Sequence, residues 1–253
     1  MKRAGLWGVV GVLGLAATGG FVSYLWLPHG QLDAPRSLWG AICASLGVPQ
    51  PRSVGLIIPQ KTRSDVVLTH DLLQRPQPGD IGHGATLALR CTPCHGPTGI
   101  SYANSPNLAG QRPVAIYKQL HDYKFGARTN AIMTPEAQAL SDTDMRQIAA
   151  YYASIARPRE LRVTAEPPPI VRWGDPMRNV APCGSCHGEM GHTLGSPELG
   201  GEPRAYLLQQ LGLFAADTRT NDINGQMRAV ARGMTSDEIM TAAEYYSGPS
   251  TPQ

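Results

Sequence analysis

The sequence predicts an all-α protein in which one N-terminal transmembrane helix precedes two tandem helical repeats. Three observations lead to this prediction: a long uncharged run near the start, two stretches that resemble each other, and no alternating apolar pattern typical of strands. Each stretch ends in a predicted helix, "SDTDMRQIAAYYASI" in the first and "TSDEIMTAAEYYS" in the second. Ser141 and Ser236 are the expected N-caps of these two helices.

The uncharged run covers residues 5–27, which are 23 residues long. A helix of this length spans about 34 Å, enough for a hydrocarbon core of about 30 Å. The run ends with Tyr24 and Trp26, which suit a membrane interface better than a signal-peptide cleavage site. Lys2 and Arg3 precede it, so the N-terminus is expected in the cytoplasm. We expect a single-pass anchor in the bacterial inner membrane, with a removed signal peptide as the alternative. Both place the rest of the chain in the periplasm.

Proline-rich stretches divide the rest of the chain. Residues 28–80 are expected to form a linker or docking segment with a short helix near 37–46. The first repeat is predicted over 81–160 and the second over 161–253, with the stiff sequence "EPPPI" at 166–170 between their compact parts.

The composition excludes some classes of function. A net charge of +3 is too small to indicate nucleic-acid binding. The first repeat carries a net charge of +3 and the second −3, which would direct them to different partners if the difference is functional. With 28 Gly, 22 Pro and only 3 Phe, the chain is expected to fill part of its interior with something other than side chains.

Four of the five cysteines lie in two CxxCH motifs, "CTPCH" at 91–95 and "CGSCH" at 183–187. Two thiols three residues apart lie on one side of a helical turn, where they can add to the vinyl groups of haem and place the adjacent histidine below the iron. We therefore predict covalent haem c at both motifs. The predicted attachment and iron-ligand residues are Cys91, Cys94 and His95 in the first repeat and Cys183, Cys186 and His187 in the second.

Two other interpretations of the cysteines are weaker. A redox dithiol motif normally accompanies a βαβ pattern, which the sequence lacks. A zinc site with four cysteines would leave the repeated histidine unexplained. The fifth cysteine, Cys43, has no partner within the chain once the others hold haem. We interpret it as a buried small residue, with an intermolecular disulfide or lipid attachment as the alternatives.

Methionine is the expected sixth iron ligand in each repeat, because a His/Met pair closes the iron and raises its reduction potential. Met133 lies 42 residues after Cys91, and Met227 lies 44 residues after Cys183. Each stands seven residues before the residue that opens the final helix motif, Leu140 or Met234. Met145, Met190, Met234 and Met240 are the rivals that this alignment of the repeats disfavours.

The two repeats resemble class I c-type cytochrome domains, and in tandem they resemble the dihaem cytochrome c4 family. The similarity rests on "CTPCHG", "NLAGQ", "YKQL" and "ARTNAIM" in the first repeat and on "CGSCHG", "ELGGE", "YLLQQL" and "TRTND" in the second. It implies two haem domains related by a pseudo-twofold axis. The anchor and residues 28–80 depart from the family, whose members are typically soluble, and favour a tethered carrier or a fixed subunit.

The expected function is electron transfer between redox proteins, with no small-molecule substrate and no catalytic residues. The resemblance implies a respiratory role, and we expect the donor to be a cytochrome bc complex and the acceptor a haem–copper terminal oxidase. The first alternative is a cytochrome subunit of a periplasmic dehydrogenase. A haem peroxidase is a weaker alternative, because it needs an open iron.

Overall fold

A computed structural model of the chain describes residues 63–69, 72, 76–188 and 193–248. The segment Lys61–Gln253 forms one compact unit. All the named elements in the described ranges are helices, so the predicted all-α fold is confirmed. Within these ranges, no helix combines the length and apolar character needed to cross a membrane. The predicted span over 5–27, the predicted helix near 37–46, Cys43 and Met190 lie outside the described residues.

The first repeat is built from three longer helices and two short ones. The helix α1 packs across α5, and α3 packs against both α4 and α5. Their apolar faces enclose a core that includes Tyr117, Met145 and Tyr152. The elements are α1 (Pro78–Ala88), a 3₁₀ turn (Leu89–Cys91), α2 (Thr92–His95), α3 (Pro113–Lys124), α4 (Met133–Gln138) and α5 (Asp142–Ser154).

Gly84 allows α1 and α5 to cross closely. A Cβ atom at this position would collide with the carbonyl oxygen of Gln147 and would lie 2.9 Å from the Cβ of Tyr151. A Cβ atom at Gly82, two residues earlier on the same helix, would meet no atom within 4 Å. The sequence therefore uses glycine at 84 for helix packing rather than for flexibility.

The second repeat has its own core, formed around Val180, Leu207 and Tyr246. In this core α8 packs against α9 and α10, and α10 also contacts α6. The described elements are 3₁₀ turns at Arg159–Leu161, Pro176–Arg178 and Ile223–Gly225, together with α6 (Pro169–Arg172), α7 (Gly184–His187), α8 (Arg204–Ala215), α9 (Gln226–Gly233) and α10 (Ser236–Ser247).

The first helix of the second repeat is much shorter than α1. It ends after Arg172, and Gly174 follows with a left-handed backbone (φ of 66°) that no continuing helix can use. The chain then makes a tight turn closed by a bridge between Asp175 and Val180. Arg178 in this turn donates two hydrogen bonds, of 2.8 and 2.6 Å, to the carboxylate of Glu238 on α10. This ion pair ties the turn to α10.

One of the two predicted N-caps is confirmed and the other is wrong by one residue. Ser141 caps α5 in a capping box with Asp144. In the second repeat the cap is Thr235, whose hydroxyl accepts from the Glu238 N–H, while Ser236 is the first helical residue. The reciprocal bond from Thr235 N–H to Glu238 favours this register, because Ser236 has no acidic residue three positions later.

Candidate functional site

The first CxxCH motif follows α1 directly. The 3₁₀ turn ending at Cys91 continues into α2, so Cys91 and Cys94 share one side of a continuous helical turn. Both thiols are half-buried and unpaired. Burial raises the pKa of the Cys91 thiol, which is the opposite of what a reactive redox thiolate needs.

The second motif has the same arrangement on α7. Cys183 is the N-cap of this helix and Cys186 lies within it. Both are half-buried, and burial raises the pKa of Cys183 to about 11. Across the residues that the structure describes, no three His, Cys, Asp or Glu side chains converge as metal ligands, so the two cysteine pairs do not form one zinc site.

The two predicted histidine ligands are buried and identically anchored. His95 is 6% exposed and His187 is 9% exposed. The Nδ1 atom of His95 lies 2.8 Å from the carbonyl oxygen of Pro106, and that of His187 lies 2.8 Å from the carbonyl oxygen of Pro197. A carbonyl can only accept, so Nδ1 carries the proton in both rings. Nε2 is then left with its lone pair, the tautomer that a metal ligand needs.

Burial favours the neutral form of both imidazoles. Desolvation lowers the pKa of His95 and, with a further contribution from Arg112, that of His187; the bonds to the proline carbonyls oppose this only in part. A neutral imidazole with Nδ1 engaged is the form that binds iron through Nε2.

The predicted methionine ligands occupy similar positions in the two repeats. Met133 is the first residue of α4, is half-buried and packs against the first core. Its backbone N–H donates to the side chain of Asn130 at 3.0 Å. Met227 is the second residue of α9, is half-buried and follows a left-handed turn at Asn224 and Gly225. Axial ligation by these two residues stays a prediction.

The rival methionines have other surroundings. Met145 is 1% exposed in the first core, and Met234 is buried at the place that Leu140 takes in the first repeat. Met240 is 42% exposed on α10.

Two buried polar atoms in the first repeat and its connection lack a well-formed hydrogen bond to the described residues. The Tyr152 hydroxyl lies beside the Cys91 sulfur, and the described residues offer it no well-formed hydrogen bond. Among the same residues, Nη1 of Arg157 is also buried without a hydrogen-bond partner. A guanidinium suits a carboxylate such as a haem propionate, and buried polar atoms are rarely left unsatisfied. The residues present therefore fit a haem in the first repeat.

The two repeats meet in reciprocal pairs of hydrogen bonds. Asn107 N–H donates to Glu202 Oε2 at 2.8 Å, and Glu198 N–H donates to Gln111 Oε1 at 2.8 Å. Asn107 aligns with Glu198, and Gln111 aligns with Glu202. The counterparts of two bonded residues are thus bonded to each other, which is the pattern that a twofold axis produces.

A second set of contacts repeats the same symmetry. Arg128 donates to Gln119 at 2.7 Å and to Gln210 at 2.8 Å, while Arg219 donates to Gln210 at 2.8 Å and to Gln119 at 3.2 Å. The repeated sequences "QL" and "RTN" had indicated the similarity of the repeats, but not that these residues form the contact between them.

One further cluster breaks the symmetry. The buried Lys118 ammonium lies 2.5 Å from the Asp122 carboxylate and donates to the Asn221 carbonyl at 2.6 Å. Asn221 Nδ2 donates to Asp122 at 2.6 Å, and Ser64 Oγ donates to the same carboxylate at 2.5 Å. Asp122 therefore contacts both repeats and Ser64 in the segment 63–69 that precedes them.

Comparison with known proteins gives the family. The chain is 37% identical to cytochrome c4 from Thiocapsa roseopersicina over 184 residues, covering 69% of this chain and 95% of the relative. It is 36% identical to the thiosulfate dehydrogenase electron acceptor of Stutzerimonas stutzeri, covering 66% of this chain and 82% of that protein. No family model matches the chain.

A solved structure agrees with these relatives. The crystal structure of reduced recombinant cytochrome c4 from Pseudomonas stutzeri is 32% identical, superposes with a TM-score of 0.60, and is matched over 97% of its own length and 66% of this chain. The chain belongs to the dihaem cytochrome c4 family, and it is an electron carrier with two covalently bound haem c groups.

Proposed function

We propose that this chain carries electrons, on the periplasmic side of the bacterial inner membrane, from a quinol-oxidising cytochrome bc complex to a haem–copper terminal oxidase. The observation that carries the electron-transfer part of the proposal is the pair of buried histidines, each bound through Nδ1 to a proline carbonyl, in two repeats joined by hydrogen bonds. The choice of partners rests on the resemblance to the cytochrome c4 family. We further propose that residues 5–27 anchor the chain, so that it acts as a tethered carrier or a fixed subunit.

Each haem would be held by two cysteines and two axial side chains. The haem supplies an iron that cycles between Fe(III) and Fe(II) without making or breaking a substrate bond. His95 and His187 would bind through Nε2, and Met133 and Met227 would occupy the opposite side. Cys91 with Cys94, and Cys183 with Cys186, would form the thioethers.

The proposed methionine ligands are tested by replacing each in turn, which should leave one coordination position of its iron free. We expect the reduced full-chain holoprotein to bind no carbon monoxide, because both irons are six-coordinate. Met133→Ala should bind carbon monoxide at the first haem only, and Met227→Ala at the second only, each with a lowered potential at that haem. The measurement is the visible spectrum of the reduced protein before and after addition of the gas.

Matched controls separate ligation from packing. Met145→Leu changes a buried core methionine, and Met240→Ala an exposed one, and neither should admit carbon monoxide. If the native protein binds carbon monoxide, an iron is open and a peroxidase-type site returns as a candidate. If Met133→Ala and Met227→Ala do not bind it, other residues close the irons and the assignment of the two methionines is wrong.

A specific observation supports a second candidate function. One relative, 36% identical over 176 residues, is named as a thiosulfate dehydrogenase electron acceptor. This favours the alternative in which the chain takes electrons from a periplasmic dehydrogenase that oxidises a sulfur compound.

The two candidates make different predictions about the electron donor. The oxidised full chain in detergent is mixed with a cytochrome bc complex and quinol, or with thiosulfate dehydrogenase and thiosulfate, and reduction is followed by stopped-flow absorbance. Rapid reduction by the first donor, with reoxidation by a terminal oxidase, is the expected result. Rapid reduction by the second donor alone would overturn the respiratory proposal in favour of the alternative.

A further inference from the structure

The peptide bond between Pro106 and Asn107 connects the first histidine ligand to the second repeat. Its carbonyl oxygen lies 2.8 Å from Nδ1 of His95, and its N–H donates to Oε2 of Glu202 at 2.8 Å. Carbonyl and N–H of one peptide group are conjugated, so a stronger acceptor at the N–H makes the carbonyl a stronger acceptor as well.

The corresponding peptide of the second repeat has a different partner. The carbonyl of Pro197 lies 2.8 Å from Nδ1 of His187, and the N–H of Glu198 donates to Oε1 of Gln111 at 2.8 Å. The two bridges are thus alike in geometry and differ in one group. The first histidine is linked to a carboxyl group that can ionise, and the second is linked to an amide that cannot.

Glu202 is buried at the interface, with 2% of its surface exposed. Desolvation raises its pKa to about 8, against the opposing effects of the Asn107 N–H and the Arg157 guanidinium. The Glu198 carboxylate, which is paired with Arg112, also attracts the Arg157 guanidinium electrostatically. The C-terminal part of α10 also lies nearby, since the carbonyl of Tyr246 accepts from the N–H of Gly201, the residue before Glu202.

We propose that Glu202, a residue of the second repeat, is a positioning residue that tunes the reduction potential of the first haem through the Pro106–Asn107 peptide. When Glu202 is ionised, the peptide carbonyl draws the Nδ1 proton of His95 more strongly, and the more electron-rich imidazole stabilises Fe(III). When Glu202 is protonated, this effect weakens and Fe(II) is favoured. The proposal rests on the proposed binding of iron by His95.

The coupling would link one electron to at most one proton, and the fraction released would depend on the pH. As the first haem passes its electron to the redox partner, the Glu202 carboxyl becomes more acidic and releases a proton to solvent. Reduction reverses both changes. Each tenfold difference in the Glu202 ionisation constant between the two oxidation states corresponds to about 59 mV across the titration for this one-electron couple. The first potential should therefore fall as the pH rises through the range around the pKa of Glu202.

The experiment is a spectroelectrochemical titration of the full-chain holoprotein at several pH values between about 6 and 9.5, a window set around the pKa of Glu202. Each potential is assigned to its haem from the methyl proton signals of the ferric protein. In the native chain we expect the first potential to depend on pH more than the second. In Glu202→Gln, the first potential should be higher at the alkaline end and should lose this extra dependence.

Two further variants make the test specific. Gln111→Glu places a carboxyl group on the second bridge and should give the second haem a pH dependence that it lacks in the native chain. Glu136→Gln removes a half-exposed carboxylate that pairs with Arg90 near the first motif, outside the bridge, and should leave the pH dependence of both potentials as it was.

The contrary results are equally distinct. An unchanged pH dependence in Glu202→Gln, or the same loss in Glu136→Gln, would overturn the proposal. If Glu202→Gln does not fold, Gln111→Glu provides the test. The proposal is then overturned if the potential of the second haem in Gln111→Glu stays independent of pH. Failure of iron ligation would be seen separately, as carbon monoxide binding, and failure of the proposed partners would leave both potentials unaffected.

Discussion

Two proline carbonyls set the tautomer and the ring orientation of the predicted histidine ligands. Because Nδ1 of each ring lies 2.8 Å from a carbonyl oxygen, this bond sets the orientation and the tautomer of the ring. The CxxCH motifs predicted the histidines themselves. They could not predict the carbonyl partners, since Pro106 and Pro197 lie eleven and ten residues further along the chain. The repeated "SP" before the motif "NLAG" or "ELGG" was the only available signal.

The cap of α10 gives a test at the scale of single residues. Thr235→Ala removes the hydroxyl that accepts from Glu238 N–H, and we expect the free energy of unfolding to fall by about 1 kcal/mol. Chemical denaturation of the holoprotein measures this change. Ser236→Ala is the matched control and should change stability by less than about 0.5 kcal/mol. If Ser236→Ala lowers the free energy of unfolding more than Thr235→Ala does, Ser236 is the cap.

The crossing of α1 and α5 is the main packing feature at the scale of elements. The sequence predicted the final helix of each repeat from its periodicity and its acidic first turn. It did not predict how differently the first helices end. In the second repeat α6 ends after four residues, and the turn that follows is held by Asp175, Arg178 and Glu238 rather than by helix packing. Such long-range ion pairs leave no local pattern in a sequence.

Gly84 provides the test of this crossing. Gly84→Ala would force the new Cβ against the Gln147 carbonyl, so α1 and α5 must separate. We expect the free energy of unfolding to fall by about 1–3 kcal/mol, the usual cost of overpacking. Gly82→Ala, on the open side of the same helix, should raise it by up to about 1 kcal/mol through helix propensity. Equal effects of the two substitutions in urea unfolding would mean that α1 does not pack at Gly84.

The contact between the repeats is the main feature at the scale of the whole molecule. Its reciprocal bonds use residues from the repeated motifs, whose similarity the sequence showed without showing that they form the contact. The sequence did not show which residues of this contact differ between the two repeats. Lys118, Asp122 and Glu202 have Gln209, Leu213 and Gln111 as counterparts, and only the structure brings these buried charged groups to the interface.

Asn221 tests the stability of this interface. It is 1% exposed and donates to Asp122 and to Gln119, so Asn221→Ala leaves a buried carboxylate with one donor fewer. We expect a loss of about 3 kcal/mol in the free energy of unfolding. Asn104→Ala, at an exposed loop position, should cost less than about 0.5 kcal/mol. A loss in Asn221→Ala no larger than in this control would show that the buried cluster does not hold the repeats together.

The presence of two one-electron centres in each chain is tested most directly by a potentiometric titration of the full-chain holoprotein. We expect each chain to take up two electrons in two reversible one-electron steps, each with a slope near 59 mV per tenfold change in the ratio of oxidised to reduced form. Uptake of a single electron per chain would contradict the presence of two haem centres. A two-electron step with a slope near 30 mV would instead indicate dithiol chemistry at the cysteine pairs.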